Sequence, residues 1–313
     1  MSGEATGPSR PDGMRQAGDS AMDARTMRLF NEVNAAFYAR AAPSFSATRH
    51  APWPGWTRCL ADARAAGVVT AGHAGDAAAA EASRRLAGQP LRVRDVACGN
   101  LRFARFLAEQ LPNATIDYHG VDACDALPDR TGIPARVRVR LTRHDVVSAL
   151  LADDTGGVGD AGSDGDGRAD ADLVACFGFL HHVPGAATRA RLMRELVAGT
   201  RPGGVCLVSF WEFGRDEVLA ARARDTTRAA CAALGVARSD LEPGDRLLDW
   251  QRAPGLWRYC HDFATPEVDA LVAALGDAAA VLDRFRADGR GGGLNEYVVL
   301  RRNDVPGGGA PVR

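Results

Sequence analysis

The chain contains no lysine: every one of its 38 fixed basic residues is an arginine. Set against 39 acidic residues they leave a formal charge of −1, so no global positive field recruits nucleic acid. Heavy Ala and Gly usage accompanies the arginines. That reads as the coding habit of a GC-rich genome rather than as an RNA-binding surface. Also missing is any apolar run near the ~18 residues that a membrane span needs. The opening stretch MSGEATGPSRPDGMRQAGDS lacks an apolar core and is expected to be a disordered lead, not a signal peptide. The cysteines, at 59, 98, 124, 176, 206, 231 and 260, form no CxxC pair and no Cys/His zinc spacing. Their pattern points to reduced thiols in a cytoplasmic chain without a metal. What remains is an ordinary globular composition, in a length that holds one large domain or two small ones.

The most informative stretch is LRVRDVACGNLRFARFLAEQL, residues 91–111. Branched apolar residues at Leu91, Val93 and Val96 mark a buried strand. A turn of small residues comes next, Ala97-Cys98-Gly99-Asn100. Then Leu101, Phe103, Phe106, Leu107 and Leu111 recur at helical spacing. Strand, turn and helix in this order form the half-unit that binds nucleotides in doubly wound α/β proteins. The next apolar run ends on Asp122, 23 residues beyond Gly99, close to the ~20 expected of an acid that accepts both hydroxyls of an adenosine ribose. The alternative for Asp122 is a cap on a following helix. Of the glycines in a dinucleotide fingerprint only Gly99 is firm. Ala97 is tolerable if its backbone keeps a negative φ, and Leu101 if it already lies in the first helical turn, where Gly costs about 1 kcal/mol relative to Ala.

Residues 21–66 read as helices and turns, with an apolar stripe at Leu29, Phe30, Val33, Phe37 and Phe45. An Ala-rich helix is expected near 76–86. Val137, Val139 and Leu141 alternate with arginines and lead to His144-Asp145. Residues 152–170 are acidic and of low complexity, a floppy insertion. Strands are expected at 172–177 and 205–210, helices at 189–200 and 216–234, with the first of these stopped by Pro202-Gly203-Gly204. Residues 239–263 look irregular. Pro266 opens a short helix, and 279–285 with 295–300 form a closing strand pair. The whole predicts a mostly parallel sheet with helices on both faces.

The line DVACGNLRF resembles motif I of class I S-adenosylmethionine (AdoMet) methyltransferases, and the order of elements extends that resemblance over residues 90–302. Ala97 and Leu101 stand where that family usually has Gly. The flanking motifs are narrower: Phe37-Tyr38, Phe45-Ser46-x-Thr48-Arg49, His181-His182 after the fourth strand, Arg258-Tyr259-x-His261-x-Phe263, and LNEYVVL. Together they look like the tRNA wobble-uridine carboxymethyl methyltransferases, including the domain fused to AlkB-type hydroxylases, and their bacterial relatives. The resemblance implies a three-layer α/β, Rossmann-like methyltransferase fold, its seven-stranded sheet ordered 3-2-1-4-5-7-6 with the last strand antiparallel. One domain would span 23–302, with a helical lid over 23–90, the disordered insertion 152–170, and disordered ends at 1–22 and 303–313.

It also implies roles. AdoMet would be held by the turn Ala97, Cys98, Gly99 and Asn100, by Asp122 and Ala123 at the ribose, and by Phe177. Asp95 would hold the turn's backbone and face the methionine ammonium. Asp145 would accept the adenine amino group and the Val146 N–H would reach a ring nitrogen, unless Asp145 merely caps a helix. On the lid, Arg49 would pair with the cofactor carboxylate, while Tyr38 and Trp53 cover the sulfonium or pack the lid. On the acceptor side stand His181, His182, His261 and Arg258, the last a clamp for an acceptor carboxylate or else the partner of Asp249 or Asp262. Trp211 and Trp250 would stack a base or fill the core. A carboxylate acceptor is already ionised and needs no general base. The acceptor would be tRNA, which calls for an arginine stripe at 136, 138, 140 and 143 or a small activating protein partner. Otherwise it would be a small acid, amine or phenol. A non-catalytic AdoMet-fold binding protein is the third reading.

Overall fold

β1 (Leu91–Val96) lies mid-sheet, parallel to β2 (Ile116–Asp122) on one side and to β4 (Ala171–Cys176) on the other. Outward from these run β3 (Val137–Arg143) and β5 (Thr200–Trp211), also parallel. β9 (Asn295–Arg302) pairs antiparallel with β5, and β8 (Ala279–Ala287) closes the sheet against β9. The order β3-β2-β1-β4-β5-β9-β8 is the expected 3-2-1-4-5-7-6 once two strands outside this sheet are set aside. The computed structural model describes residues 22–69, 89–152, 171–251, 253 and 255–304. The Ala-rich helix near 76–86 lies outside the described residues. So do the insertion beyond Ala152 and the ends beyond Met22 and Asp304.

Seven helices are described: α1 (Ala24–Ser46), α2 (Pro54–Ala65), α3 (Arg102–Gln110), α4 (Val146–Leu151), α5 (Ala186–Gly199), α6 (Glu217–Leu234) and α7 (Thr265–Ala273). None is long and apolar enough to cross a membrane. The middle of the sheet carries short apolar runs, Leu173–Cys176 in β4 and Val205–Val208 in β5, because both faces are covered. Side chains alternate across the sheet. Val93, Leu173 and Leu207 pack with Trp56 and Leu60 of α2 and Phe103 and Leu107 of α3. Val96, Val174 and Val208 pack on the opposite face with Val147 of α4, Leu192 and Leu196 of α5, and Val268 of α7. Three layers result, and they leave the carboxyl ends of β1, β2, β4 and β5 open at one edge.

Residues 239–263 are not irregular throughout. β6 (Asp245–Asp249) and β7 (Trp257–His261) form a separate antiparallel pair. Their inward positions carry polar groups that are paired, so the apolar alternation of a strand is masked: the Tyr259 hydroxyl donates to Asp245 Oδ1 at 2.6 Å, both residues being fully buried. Leu247 and Tyr259 pack with Phe30 of α1 and with Ala230 and Cys231 of α6. Asn34 of α1 stitches the join. Its Oδ1 accepts from the Tyr259 backbone N–H (2.8 Å) and its Nδ2 donates to the His182 carbonyl (3.3 Å).

Candidate functional site

The turn after β1 is wound left-handed. Ala97, Gly99 and Leu101 have φ of 60°, 52° and 62°. Neither condition for the missing glycines is met: Ala97 does not keep a negative φ, and Leu101 is the cap residue before α3 rather than part of its first turn. Each non-glycine residue in this region costs about 1–2 kcal/mol. Burial offsets the cost at Leu101, whose fully buried side chain joins the core of α2 and α3 and is worth about 1.5–3 kcal/mol there. The turn is tied at each step. Cys98 N–H donates to the Val121 carbonyl (3.1 Å), Gly99 N–H to Asp122 Oδ2 (2.8 Å), and Asn100 Nδ2 to the Arg49 carbonyl (2.8 Å) and Ser46 Oγ (3.2 Å).

Asp122 also accepts from the Cys124 N–H at 2.8 Å. No helix is described between it and Asp145, which removes the helix-cap alternative. Burial raises its pKa against the opposing pull of the backbone bonds from Cys124, Gly99 and Ala123. Asp95, 3% exposed, accepts from the Tyr118 hydroxyl instead of holding the turn's backbone as expected. Burial pushes its pKa up to about 7, with the Tyr118 bond opposing and the Asp122 charge adding. Asp145 caps α4, accepting from Ser148 N (3.0 Å) and Ser148 Oγ (2.7 Å), and it also receives Asn31 Nδ2 from α1 (2.9 Å).

After β4, the neighbour of β1 in the sheet, stand the two histidines. His182 Nδ1 lies 2.8 Å from the Tyr259 carbonyl, which can only accept, so Nδ1 carries the proton. Nε2 then accepts from the Tyr38 hydroxyl at 2.9 Å. Burial, then the Arg258 charge, hold the His182 pKa at about 3, and burial pushes the Tyr38 phenol up to about 12. His181 is buried against His182 and Trp211, its ring centroids 4.2 and 4.9 Å from theirs. Burial and the neighbouring charges of His182 and Arg258 hold it well below the usual imidazole range. Its Nδ1 has no partner among the described residues.

Arg258 is 7% exposed, and among the described residues no carboxylate pairs with it. Asp249 is taken by Arg222 (2.8 Å) and Asp262 accepts the Gly214 N–H (2.8 Å), so the alternative of a structural ion pair fails. The guanidinium sits instead among Phe37, Phe45, Trp211 and Trp250, 5.6, 5.6, 5.5 and 5.9 Å from their centroids, with Nε unbonded. Arg49 lies 3.4 Å over Phe45 and bonds the Phe45 carbonyl (3.2 Å) and Thr48 Oγ1 (2.9 Å). Burial and the Arg258 charge bring its pKa down to about 10. His261 is a correction. Its nitrogens are each 2.7 Å from a carboxylate, Asp245 and Glu267. Burial works against its charged form, yet those two bonds raise its pKa. It belongs to a buried ion cluster with Arg189 and does not line the cavity.

That cavity, about 1050 Å³, runs along the sheet's carboxyl edge beneath α1 and α2. Every predicted site residue except His261 lines it, including Ala123, Val146 and Phe177. Trp53 enters it against Gly178, whose φ is +67° and where a Cβ would come 2.8 Å from the indole. Sequence reasoning missed Arg102 and Asp288. Arg102 comes directly after the turn, the one signal that could have found it. It lies over Trp53 and Trp56 (5.3 and 5.5 Å), bonds the Ala51 carbonyl (3.1 Å), and is brought down to about 10 by burial. Asp288 accepts from the Gly55 N–H (3.2 Å), Asn295 Nδ2 (2.8 Å) and the Tyr297 hydroxyl; its left-handed φ of 68° is followed by 70° at Gly289, and the Asp-Gly pair is the signal that could have found it. The arginine stripe is engaged by neighbours: Arg136 with the Ala108 carbonyl (2.6 Å), Arg138 with Asp117 (3.3 Å), Arg140 with His119 (3.4 Å) and Arg143 with Asp125 (3.0 Å).

No protein-family model and no curated protein matches the chain. Solved structures do. A 1,6-didemethyltoxoflavin-N1-methyltransferase from Burkholderia thailandensis, with 1,6-didemethyltoxoflavin and S-adenosylhomocysteine bound, is 18% identical. It covers 95% of this chain and 100% of its own, at a TM-score of 0.48. A SAM-dependent methyltransferase from Methanosarcina mazei is 14% identical over 70% of this chain and 96% of its own, at 0.44. An O-methyltransferase family protein from Burkholderia thailandensis is 16% identical over 90% and 70%, at 0.41. Likeness at this level carries no chemistry across; the chemistry of this chain lies in its own strand order and cavity.

Proposed function

We propose that the chain is an AdoMet-dependent methyltransferase acting on an anionic acceptor. The observation that carries this is one cavity lined by both buried carboxylates and a buried cation without a carboxylate. Asp95 and Asp122 stand at the turn after β1, and Arg258, buried without a carboxylate partner among the described residues, lines the same cavity. A buried charge is normally paired, so an unpaired guanidinium facing a cavity fits an acidic ligand.

The turn end fits the cofactor. A Cβ at Gly99 would meet nothing within 4 Å, and Leu101 points into the core, so no side chain of the turn occupies the nucleotide's place. Asp122 would accept the ribose hydroxyls through lone pairs left free by its backbone bonds. Asp95 would face the methionine ammonium, and Arg49 or Arg102 the carboxylate. α1 and α2 would act as a lid. When bound, AdoMet supplies an electrophilic methyl group open to in-line displacement.

The chain's part is positioning and exclusion of water, worth up to about 7–11 kcal/mol in well-oriented reactions. Arg258 would orient the acceptor anion in line. Tyr38, Trp53, Trp211 and Trp250 would keep the pathway dry. A neutral His182, locked by Tyr38 and the Tyr259 carbonyl, is a poor base, which suits an acceptor that is already ionised. The wobble carboxylate of tRNA remains an acceptor on the strength of Arg258 and its motif. A small acid is better supported, because the cation without a carboxylate partner, Arg258, is buried in the cavity and the net charge of −1 gives tRNA no positive field.

Titration with S-adenosylhomocysteine tests the cofactor half: no binding at millimolar ligand would leave only a non-catalytic role. Incubation with radiolabelled AdoMet, total tRNA and a metabolite extract in parallel tests the rest. Label in acid-soluble small molecules is expected, and label confined to tRNA would reject the small acid.

A further inference from the structure

The cationic end of the cavity holds one charge more than a simple acid requires. The Arg49 guanidinium lies 3.4 Å from the Phe45 ring centroid and 5.4 Å from that of Trp250; for Arg258 the distances are 5.6 and 5.9 Å. The two cations therefore share the same pair of rings. Neither has a carboxylate partner among the described residues, and the buried Arg258 Nε is unbonded. A single negative charge between them would leave one guanidinium uncompensated in a site walled by aromatic rings, where the residual repulsion is poorly screened. Meanwhile Arg102 opens the helix that follows the turn and lines the same cavity, where the zwitterionic end of the cofactor would lie.

We infer that Arg102 takes the cofactor carboxylate and that Arg49 and Arg258 together clamp an acceptor whose acid group is doubly charged, a phosphate monoester or phosphonate with an aromatic body. This rests on the methyltransferase reading. An acceptor oxygen forms a bond to the methyl carbon as the carbon–sulfur bond breaks. The acid group passes from two negative charges to one, the sulfonium becomes a neutral thioether, and no proton moves. The product thereby loses the second charge that the paired arginines recognise, which favours its release. Trp211 and Trp250 supply flat walls for the aromatic body.

Phenyl phosphate and phenyl sulfate separate charge from shape. They are near-isosteric, and at pH 8 the first carries two charges and the second one. Calorimetric titration of the full chain saturated with S-adenosylhomocysteine is expected to show phenyl phosphate binding at least tenfold tighter. Lowering the pH to 5.5, where with a second pKa of about 6 only about a quarter of the phosphate stays doubly charged, should cut the preference about three- to fourfold. Arg49→Gln should bring the ratio below threefold and leave S-adenosylhomocysteine affinity within threefold, whereas Arg102→Gln should weaken S-adenosylhomocysteine itself. Equal affinity for the two probes, no binding of either, or loss of S-adenosylhomocysteine binding in Arg49→Gln would overturn the inference while leaving the methyltransferase reading intact. Failure of the unmodified chain to bind S-adenosylhomocysteine would overturn the reading and the inference together.

Discussion

At the scale of single residues, Asp122 and Ala97 divide the turn's work. Asp122 shapes it through the Gly99 and Cys124 N–H groups, and in the proposed function also holds the ribose. Two charge-assisted bonds at about 1.5–3 kcal/mol each make Asp122→Ala a loss of roughly 100-fold or more in S-adenosylhomocysteine affinity. Far-ultraviolet dichroism should stay native. An unchanged dissociation constant would refute the ribose assignment. Ala97 carries strain with no such return. Its φ of 60° costs about 1–2 kcal/mol, while glycine loses about 0.4–1 kcal/mol through the freer unfolded chain. Ala97→Gly should therefore stabilise the protein by about 0.5–1 kcal/mol in urea unfolding. Destabilisation would mean that the methyl group packs more than the turn suffers. Leu101→Gly should go the other way despite an equal φ, since it empties a fully buried core position.

Among elements, the join between α1 and β7 decides whether the cavity has a roof. Asn34 satisfies a strand N–H and the His182 carbonyl in a buried position. Asn34→Leu keeps the bulk and leaves both groups unpaired, at about 1–3 kcal/mol each. A loss of about 2–4 kcal/mol is expected in urea unfolding, with faster hydrogen exchange over residues 24–46; exchange unchanged there would show that α1 is held by apolar packing alone. The strand–turn–helix and the acid at 122 were legible because each writes a period or a spacing into the chain. The β6–β7 pair was not, because its inward groups are Asp245, Tyr259 and His261, which are buried only by satisfying one another. His261 misled for the same reason: a histidine in a motif looks chemical until its two carboxylate partners, one sixteen positions before it, are seen. The left-handed backbone at Ala97 and Leu101 lay beyond sequence reading because neither is a residue type that favours it.

Over the whole molecule, the perturbed groups set a pH dependence with a definite sign. His181 and His182 are held neutral, so the unfolded chain binds more protons below about pH 6.5 and stability falls there. His261 is raised, so its contribution is complete below about 6.5 and is lost as pH climbs through its folded value. Asp95, raised to about 7, costs stability progressively from about pH 4 up to 7, and Asp122 acts in the same direction. The unliganded protein should therefore be most stable slightly on the acid side of neutral. The ligand should behave oppositely. A cationic ammonium beside Asp95 favours its ionised form, so binding releases a proton wherever the free protein still holds one. One unit below the folded pKa this weakens binding about tenfold. S-adenosylhomocysteine affinity should accordingly be about tenfold lower at pH 6 than at pH 8. Calorimetry in buffers of different ionisation enthalpy should count the released protons. Asp95→Asn should flatten the profile to the residue that Asp122 supplies. An affinity indifferent to pH between 6 and 8 would mean that the ammonium does not meet Asp95, and that the acidic pole of the cavity serves the fold alone.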